Sequence, residues 1–374
     1  MKVLILDWFN IVKRYLYNYN VEEVDMGELI DTMTFSVLNK LCDVYKATSP
    51  DLLFICSDSG YNRRAKAIIS DYKGNRKKGK TLSEEEKENS YVEFIKNVAN
   101  TLPCPFIEVK DTEADMIIRC VINYLHNIDD TIKITIASSD SDFIQLLSKN
   151  VSIYDWYKGN VTVNNWYTLH KKHDKYLNSK NYAIGKAITG DSSDNIDGVK
   201  NWGWKKVTRL FDIINQYYDD DIIFDNILNL KNCVNEINDN NNMLNKSDKN
   251  FISGAAEMIK INSDLIVRNM SVIDLDMVET PYLYKIYSNI ERQLYTNKQW
   301  FNKNELLSLM QLGRYGANDP ATLKKLIDKN SKAMFIFYGM AGKANNAITA
   351  LKTKKNKWGL LIGNSTISRR YAYR

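Results

Sequence analysis

Eight carboxylates occur in five short clusters in the first half of the chain, with a spacing that could build two neighbouring divalent-metal sites. Carboxylate oxygens are the ligands that hard cations such as Mg²⁺ take in proteins. Two such ions, held roughly 4 Å apart, are a common device for cleaving phosphodiesters. The clusters therefore predict phosphate-ester hydrolysis, and their acids are Asp7, Asp58, Glu113, Asp115, Asp140, Asp142, Asp191 and Asp194.

Alternating strands and helices are expected to position these acids. The predicted elements, in chain order, are strand 3–6, helix 27–47, strand 52–56, a helix opened by Ser83 with Glu86 in capping-box position, strand 106–109, helix 114–126, strand 132–137 and a short helix through 143–147. This order predicts an α/β fold, a parallel sheet with helices on both faces. Functional groups of such sheets gather beyond the carboxyl ends of the strands, where Asp7, Asp58 and Asp140 stand.

The strand signal fades from Ser179 onward, and the second half is predicted to be mainly helical. The GDSSDN segment, which carries Asp191 and Asp194, is expected to be a hinge between helices, and a further helix is expected at about 205–217. The Asn-rich stretch 232–250 predicts a loop or a poorly ordered insertion. We expect three parts: a metal-dependent α/β core at 1–178, a helical region at 179–285 and a basic C-terminal extension at 286–374.

The basic residues are unevenly distributed along the 374-residue chain, whose formal net charge is +6. They crowd the segment 63–80, and the tail after Asp328 contains Lys and Arg but no Asp or Glu. Clustered cations beside an acidic centre are expected for a polyanion substrate.

The composition also disfavours several classes of protein. No apolar run approaches the roughly 20 residues of a spanning helix, and Asp7 interrupts the apolar N-terminus where a signal peptide would continue. We therefore expect a cytoplasmic protein, in the host cell cytoplasm if the gene is viral. The five cysteines lack a C-x-x-C pair and are expected to be buried thiols. His170 and His173 are interpreted as surface residues rather than zinc ligands.

Six segments carry a family resemblance: LILDWFN, SDSGYNRR, DYKGNR, TEAD, SSDSDFIQLL and GDSSDNIDGV. In this order they resemble the flap endonuclease and 5′-nuclease superfamily, and most of all its T-even bacteriophage ribonuclease H branch, over about residues 1–220. The resemblance implies two Mg²⁺ ions, with Mn²⁺ as a substitute. It assigns Asp7, Asp58, Glu113, Asp115 and Asp140 to one metal cluster, and Asp142, Asp191 and Asp194 to the other. Met116 replaces an acid that family members often carry.

The same resemblance implies roles for basic and aromatic residues. Lys73 and Arg76 match a basic pair that contacts the scissile phosphate, and both join Asp140 as predicted catalytic residues. Tyr72 matches a position on which a base could stack, a contact worth about 1–3 kcal/mol. The rest of the predicted nucleic-acid surface comprises Arg63, Arg64, Lys77, Gly198, Gly203, Lys205 and Lys206.

The last four of these residues belong to a segment that resembles the family's helix-hairpin-helix, which grips the backbone of duplex DNA. Asn201 and Trp204 depart from its glycine-rich pattern, although Asn tolerates the left-handed conformation that the hairpin needs. The resemblance also implies a K⁺ bound at the hairpin, as in some relatives, and it makes 1–178 a nuclease core and 179–285 a DNA-binding region. Trp202 and Trp204 are equally well interpreted as packing residues.

The predicted activity is that of a structure-selective 5′-nuclease that removes RNA primers and 5′ DNA flaps during replication. One ion would activate water and the other would stabilise the leaving oxygen. A PIN-type ribonuclease and a non-catalytic junction-binding scaffold remain alternatives. The expected partners are DNA and RNA–DNA duplexes with 5′ ends or flaps and, for the basic tail, either further DNA or a replication protein such as a clamp or single-strand-binding protein. The protein is expected to be a monomer.

Overall fold

The computed structural model describes residues 1–17, 25–60, 62–77, 81–166, 178–219, 222–224, 226–296, 301–315 and 320–357. His170 and His173 lie outside the described residues.

A six-stranded sheet occupies the first half of the chain. Its strands are β1 Lys2–Asp7, β2 Leu52–Ser57, β3 Phe106–Glu108, β4 Lys133–Ala137, β5 Val151–Asp155 and β6 Gly159–Val161. The strand order is β3-β2-β1-β4-β5-β6, in which the first five are parallel and β6 runs antiparallel to β5. The carboxyl ends of β1, β2 and β4 therefore meet at one edge of the sheet, as the sequence predicts.

Helices cover both faces of this sheet. Side chains alternate along β1, so Val3 and Ile5 enter one hydrophobic core whereas Leu4 and Leu6 enter another. The helices are α1 Trp8–Leu16, α2 Met26–Thr48, α3 Arg63–Ile68, α4 Leu82–Asn100, α5 Ala114–Ile128, α6 Tyr182–Thr189, α7 Trp204–Tyr218, α8 Ile227–Asp239, α9 Lys246–Ile273, α10 Thr280–Tyr295, α11 Lys303–Tyr315 and α12 Pro320–Lys357. The predicted α/β class and the helical second half are confirmed.

The two cores draw on different helices. The Val3 core takes apolar side chains from α5 to α10, and the Leu4 core takes them from α1, α2, α4 and α11. Helix α12 enters both cores, with Phe337 in the Leu4 core and Ile348 in the Val3 core. The described part of the basic tail is thus a packed helix, while the predicted three-part division of the chain stays a prediction.

Four local predictions were wrong. Helix α4 begins two residues earlier than Ser83 and Glu86 suggest, because the capping box is formed by Thr81 and Glu84. Strands β5 and β6 were missed because they follow β4 without an intervening long helix. The GDSSDN segment is not a hinge but a two-stranded hairpin, β7 Gly190–Asp191 with β8 Ile196–Asp197.

The Asn-rich stretch 232–250 is also ordered, against the prediction of a loop. It forms the end of α8, a short 3-10 turn at Asn241–Met243 and the start of α9. Apolar Leu230, Val234 and Ile237 are fully buried at helical spacing, and Asn245 caps α9 by accepting from the Asp248 amide. Asparagine is abundant here partly because it caps helices well.

Two further expectations can be compared with the fold. All five cysteines are free and buried, as predicted. No helix in the described ranges is long and apolar enough to cross a membrane.

Candidate active site

All eight predicted acids line one cleft at the carboxyl edge of the sheet. The cleft has a volume of about 1340 Å³. Its acidic lining includes Asp7, Asp58, Glu113, Asp115, Asp140, Asp142, Asp191 and Asp194. The convergence that the sequence predicts from five separated clusters is therefore present in the fold.

Three of these acids lie just beyond or at the ends of β1, β2 and β4 and are held by backbone amides or a serine hydroxyl, and we call them the backbone-anchored acids: Asp7, Asp58 and Asp140. Asp7 ends β1, caps α1 by accepting from the Asn10 amide at 3.2 Å, and accepts from Ser138 Oγ at 3.0 Å. Asp58 follows β2 and accepts from the Ala114 amide at 2.6 Å. These bonds hold the carboxylates in place through the sheet and its helix ends.

Asp140 lies beyond the end of β4 and opens the 3-10 helix Ser141–Leu146. Its carboxylate accepts from the Asp142 amide at 2.9 Å, while its own amide donates to Ser138 Oγ at 3.1 Å. Ser138 thus bonds to both Asp7 and the Asp140 backbone. It was missed by the sequence reasoning, although it stands directly at the end of the strand.

Four other acids contact a lysine, and we call them the lysine-paired acids: Glu113, Asp142, Asp191 and Asp194. Lys186, on α6, forms ion pairs with Asp142 and, at 2.7 Å, with Asp191. Lys73 forms ion pairs with Glu113 and, at 3.7 Å, with Asp194. Each lysine therefore links two segments that are distant in the sequence.

Lys186 is the principal site residue that the sequence reasoning missed. It is 8% exposed, in a helix whose other residues are apolar or small. Burial alone would lower the pKa of Lys186, but Asp142 and Asp191 raise it well above its usual value. A lone lysine on the buried face of an apolar helix was the available signal, because such a charge needs a partner.

The carboxylates repel one another strongly in this cleft. Burial raises the pKa of Asp7 to about 7, and the neighbouring Asp58 and Asp140 add to the rise. Burial, followed by Glu113, also holds the pKa of Asp115 well above its usual range, although Lys73 opposes the shift. Cations in the cleft would remove this penalty by favouring the ionised carboxylates.

The hairpin that carries Asp191 and Asp194 depends on close backbone packing. A Cβ at Gly198 would lie 2.2 Å from the carbonyl carbon of Thr189, so only glycine fits there. The buried Asn269 of α9 secures the hairpin, since its Nδ2 donates to the carbonyls of Ala187 at 2.9 Å and Asp197 at 2.8 Å. Gly198 therefore has a packing role, and its predicted contact with DNA stays a prediction.

The basic loop, residues 69–77 within the segment 63–80, packs against the same hairpin. The Lys73 backbone has a φ of 58°, and its amide donates to the Asp194 carbonyl at 2.9 Å. Asn195 Nδ2 donates to Asp71 Oδ2 at 2.7 Å, and Asn75 Nδ2 donates to the Ser192 carbonyl at 2.7 Å. These contacts place Lys73 in the cleft, where its predicted role requires it.

Two residues of the predicted nucleic-acid surface are buried in the structure. Tyr72 is 5% exposed, and its hydroxyl bonds to Glu113 at 3.1 Å and Asp194 at 3.0 Å, so its ring is not available for base stacking. Arg64 is largely buried, where it donates to the Ser271 carbonyl and pairs with Glu279. Both side chains support the fold around the cleft instead.

Three of the remaining predicted contacts, all of them basic, are exposed. Arg63 is exposed and pairs with Asp111 at 3.1 Å. Lys205 and Lys206 are exposed in the first turn of α7, which Gly203 precedes as the N-cap. Arg76 and Lys77 lie in the 3-10 helix Gly74–Lys77, but their side chains are outside the described residues.

The segment between α6 and α7 keeps the geometry that a hairpin requires. Asn201 has a φ of 64°, so asparagine takes the left-handed position as expected. The Trp204 ring stacks on Tyr182 at 5.3 Å, and the Trp202 ring lies 5.7 Å from Phe251. The packing interpretation of both tryptophans is thus confirmed.

The donor set of the cleft suits a hard divalent cation, since every acidic ligand offers oxygen. Among the described residues, no group of three His, Cys, Asp or Glu side chains is arranged to hold a metal ion directly. Lys73 and Lys186 supply the positive charge between the lysine-paired acids instead. Met116 is 6% exposed and packs in the Val3 core, so it adds no ligand.

Comparison with known proteins agrees with this architecture. Residues 2–176 match the family model of the 5′-3′ exonuclease N-terminal, resolvase-like domain. The DNA polymerase I of Caldicellulosiruptor bescii is 27% identical over 239 residues, which cover 63% of this chain and 27% of that protein. The 5′-3′ exonuclease of Buchnera aphidicola subsp. Schizaphis graminum is 25% identical over 289 residues, which cover 77% of this chain and 91% of that protein.

This chain spans about a quarter of the length of the DNA polymerase I relatives. Among solved structures, it is similar to the bacteriophage T5 flap endonuclease in a pseudo-enzyme-product complex with DNA and metal ions. That likeness has a TM-score of 0.56 at 17% identity and covers 88% of this chain and 100% of the other, which shows a shared fold. The resemblance found in the sequence is confirmed, since residues 2–176 match the model of the 5′-3′ exonuclease N-terminal domain.

Proposed function

We propose that the protein is a structure-selective 5′-nuclease that hydrolyses phosphodiesters in RNA primers and 5′ DNA flaps. The observation that carries this proposal is the convergence of eight acids from five sequence clusters on one cleft. The family of residues 2–176 and the names of the relatives, 5′-3′ exonuclease and DNA polymerase I, support the same activity.

The acids of the cleft would hold divalent ions, and the lysines would handle the substrate's charge. Bound ions supply a water of lowered pKa and neutralise charge that develops on the phosphate. Asp7, Asp58 and Asp140 are fixed by their hydrogen bonds, so their oxygens are positioned before any ligand arrives. Lys73 reaches the cleft from the basic loop and would offset charge on the phosphoryl oxygens once it leaves Glu113.

Substrate binding would rest on the phosphate backbone. Lys205 and Lys206 are exposed at the start of α7, where backbone amides also favour anions. Contacts of this kind carry no base identity, so affinity should be independent of sequence and fall steeply as salt increases. A K⁺ near the Asn201 turn would strengthen this grip on duplex DNA.

The proposal also includes the identity of the metal ions, the oligomeric state and the partners. Mg²⁺ is the proposed physiological ion with Mn²⁺ as its substitute, because both accept carboxylate oxygens. We propose a monomer that acts in replication, and α12 offers exposed Lys332, Lys343 and Lys352 for a clamp, a single-strand-binding protein or additional DNA.

A cleavage assay tests the proposal directly. A labelled duplex with a 5′ flap is incubated with the protein, with and without Mg²⁺, beside single-stranded RNA and blunt duplex. We expect Mg²⁺-dependent cleavage near the base of the flap. Cleavage of single-stranded RNA alone would indicate a PIN-type ribonuclease, and flap binding without cleavage would indicate a scaffold; either result would overturn the proposal.

A further inference from the structure

The cleft contains a further cation, Arg14, that forms no ion pair with the acids in the part of the chain that the structure describes. Arg14 of α1 and Tyr157 of the β5–β6 turn both line the cleft. The guanidinium of Arg14 lies 4.0 Å from the centre of the Tyr157 ring. This distance is well within the range of a favourable cation–π contact.

Arg14 lacks the partner that a half-buried guanidinium usually has. It forms no ion pair with Asp or Glu in the described ranges, and its Nη1 is buried without a hydrogen-bond partner there. A buried donor on a charged group costs free energy when it is left unsatisfied. An anionic ligand that enters the cleft would satisfy it, and a guanidinium fork matches the oxygens of a phosphodiester.

Tyr157 complements this charge with an aromatic surface. It is 74% exposed, although its backbone is held in a tight turn. Asp155 Oδ1 accepts from the amides of Tyr157 at 2.7 Å and Lys158 at 3.0 Å. An exposed ring on a fixed backbone can stack with an unpaired base.

The position of the pair is fixed relative to the proposed catalytic Asp140. Asn10 Oδ1 accepts from the Ser139 amide and hydroxyl, both at 3.1 Å, and from Trp156 Nε1 at 2.6 Å. One side chain of α1 therefore ties the residue before Asp140 to the residue before Tyr157. The sheet order also places β5 next to β4, on the side of the cleft away from β2 and β3.

We propose that Arg14 and Tyr157 form a subsite for a single-stranded segment of the substrate, in which the guanidinium binds a phosphodiester and the ring stacks on an adjoining base. The nature of this substrate rests on the proposed function. A duplex would fit less well, because its bases are already stacked and paired. The single-stranded segment would then pass over the carboxylates of the cleft. Lys73, beside Glu113, would lie at one end of this path and the Arg14–Tyr157 pair at the other.

Binding in EDTA, where no divalent ion supports cleavage, tests the subsite separately from catalysis. Fluorescence anisotropy compares a duplex with a short 5′ single-stranded arm against the matched blunt duplex. We expect Arg14→Ala and Tyr157→Ala each to weaken binding of the armed duplex about ten-fold, with little change for the blunt duplex. Tyr157→Phe should retain affinity because it keeps the ring.

The matched control is Arg292→Ala, which removes an exposed arginine that does not line the cleft. Arg14→Lys keeps the charge without the planar fork and should lose part of the affinity even if Arg14→Ala folds poorly. Equal losses on both duplexes, losses no larger than for Arg292→Ala, or a wild type without preference for the armed duplex would each overturn the subsite. Absence of Mg²⁺-dependent cleavage would instead count against the proposed function.

Discussion

The backbone-anchored acids and the lysine-paired acids meet the same problem, burial of negative charge, in different ways. Asp7, Asp58 and Asp140 accept hydrogen bonds from amides or a hydroxyl that belong to the ends of strands and helices. The other set is neutralised by Lys73 and Lys186. The first arrangement orients ligands without a cation, whereas the second requires one. Divalent ions and the lysines should therefore compete for the lysine-paired acids.

Removing a backbone-anchored carboxylate should have the largest effect. Asp140→Asn keeps the shape of the 3-10 helix cap but removes the charge that a hard cation needs, so we expect cleavage to fall at least about 100-fold. Binding of a flapped duplex should be retained. Single-turnover kinetics and anisotropy measure the two properties, with Asp43→Asn, an exposed acid outside the cleft, as control. Near-normal cleavage by Asp140→Asn would contradict the role of this residue.

Removing a lysine should show that the lysine-paired acids require a cation. Lys186→Met leaves Asp142 and Asp191 without their ammonium partner, and loss of one member of a buried ion pair costs about 3 kcal/mol. The metal-free variant should therefore unfold at lower temperature than the wild type, and Mg²⁺ should raise its Tm by more than it raises that of the wild type. Lys149→Met, at an exposed position, is the control for differential scanning fluorimetry. Equal Mg²⁺-induced shifts would show that lysine and metal do not compete.

The pH dependence of the metal-free protein should report Asp7, together with Asp115 and Asp142, whose pKa values burial also raises. The folded pKa of Asp7, about 7, exceeds the unfolded value of about 3.9, so the folded state keeps a proton that the unfolded state releases. Its stabilising contribution is complete below about pH 4 and is lost as the pH rises towards 7, by at most about 1.4 kcal/mol per pH unit. Urea unfolding in EDTA across this range should show the decline, and Asp7→Asn should flatten it. An unchanged slope in that variant would assign the decline to other groups.

The smallest expected effect concerns Tyr72, whose hydroxyl touches two lysine-paired acids. Tyr72→Phe keeps the buried ring and removes the bonds to Glu113 and Asp194, for a cost of about 1 kcal/mol. Urea unfolding measures this change, and Tyr284→Phe, at a ring that is 68% exposed, is its control. A loss of unfolding free energy larger than that of Lys186→Met would show that the hydroxyl stabilises these acids more than the lysine does.

Much of the fold was readable from local pattern. Apolar runs that end in Asp predicted β1, β2 and β4, because a parallel sheet places such ends at one edge. Strands β5 and β6 were not predicted, because no long helix separates either of them from the strand before it. The Asn-rich stretch misled for a different reason: composition suggested disorder, whereas the apolar spacing of Leu230, Val234 and Ile237 specified a helix.

The acids were easier to predict than their partners. Asp residues at strand ends carry a local signal, but the pairing of Lys186 with Asp142 joins α6 to a 3-10 helix residue 44 positions away and depends on how the chain folds. The burial of Tyr72 and Arg64 was missed for the same reason, because a basic, aromatic loop in the sequence does not reveal which of its side chains turn inward. Tertiary contacts decided these roles.

Anomalous diffraction from crystals soaked in Mn²⁺ tests most directly whether the cleft is a two-metal centre. We expect two Mn²⁺ peaks roughly 4 Å apart within the cleft, with Asp7 and Asp140 near one and Asp191 near the other, and with Lys186 displaced from at least one of its acids. Mn²⁺ that binds only outside the cleft, or both lysines still paired at saturating Mn²⁺ with no peak between the acids, would contradict the metal centre on which the proposed nuclease depends.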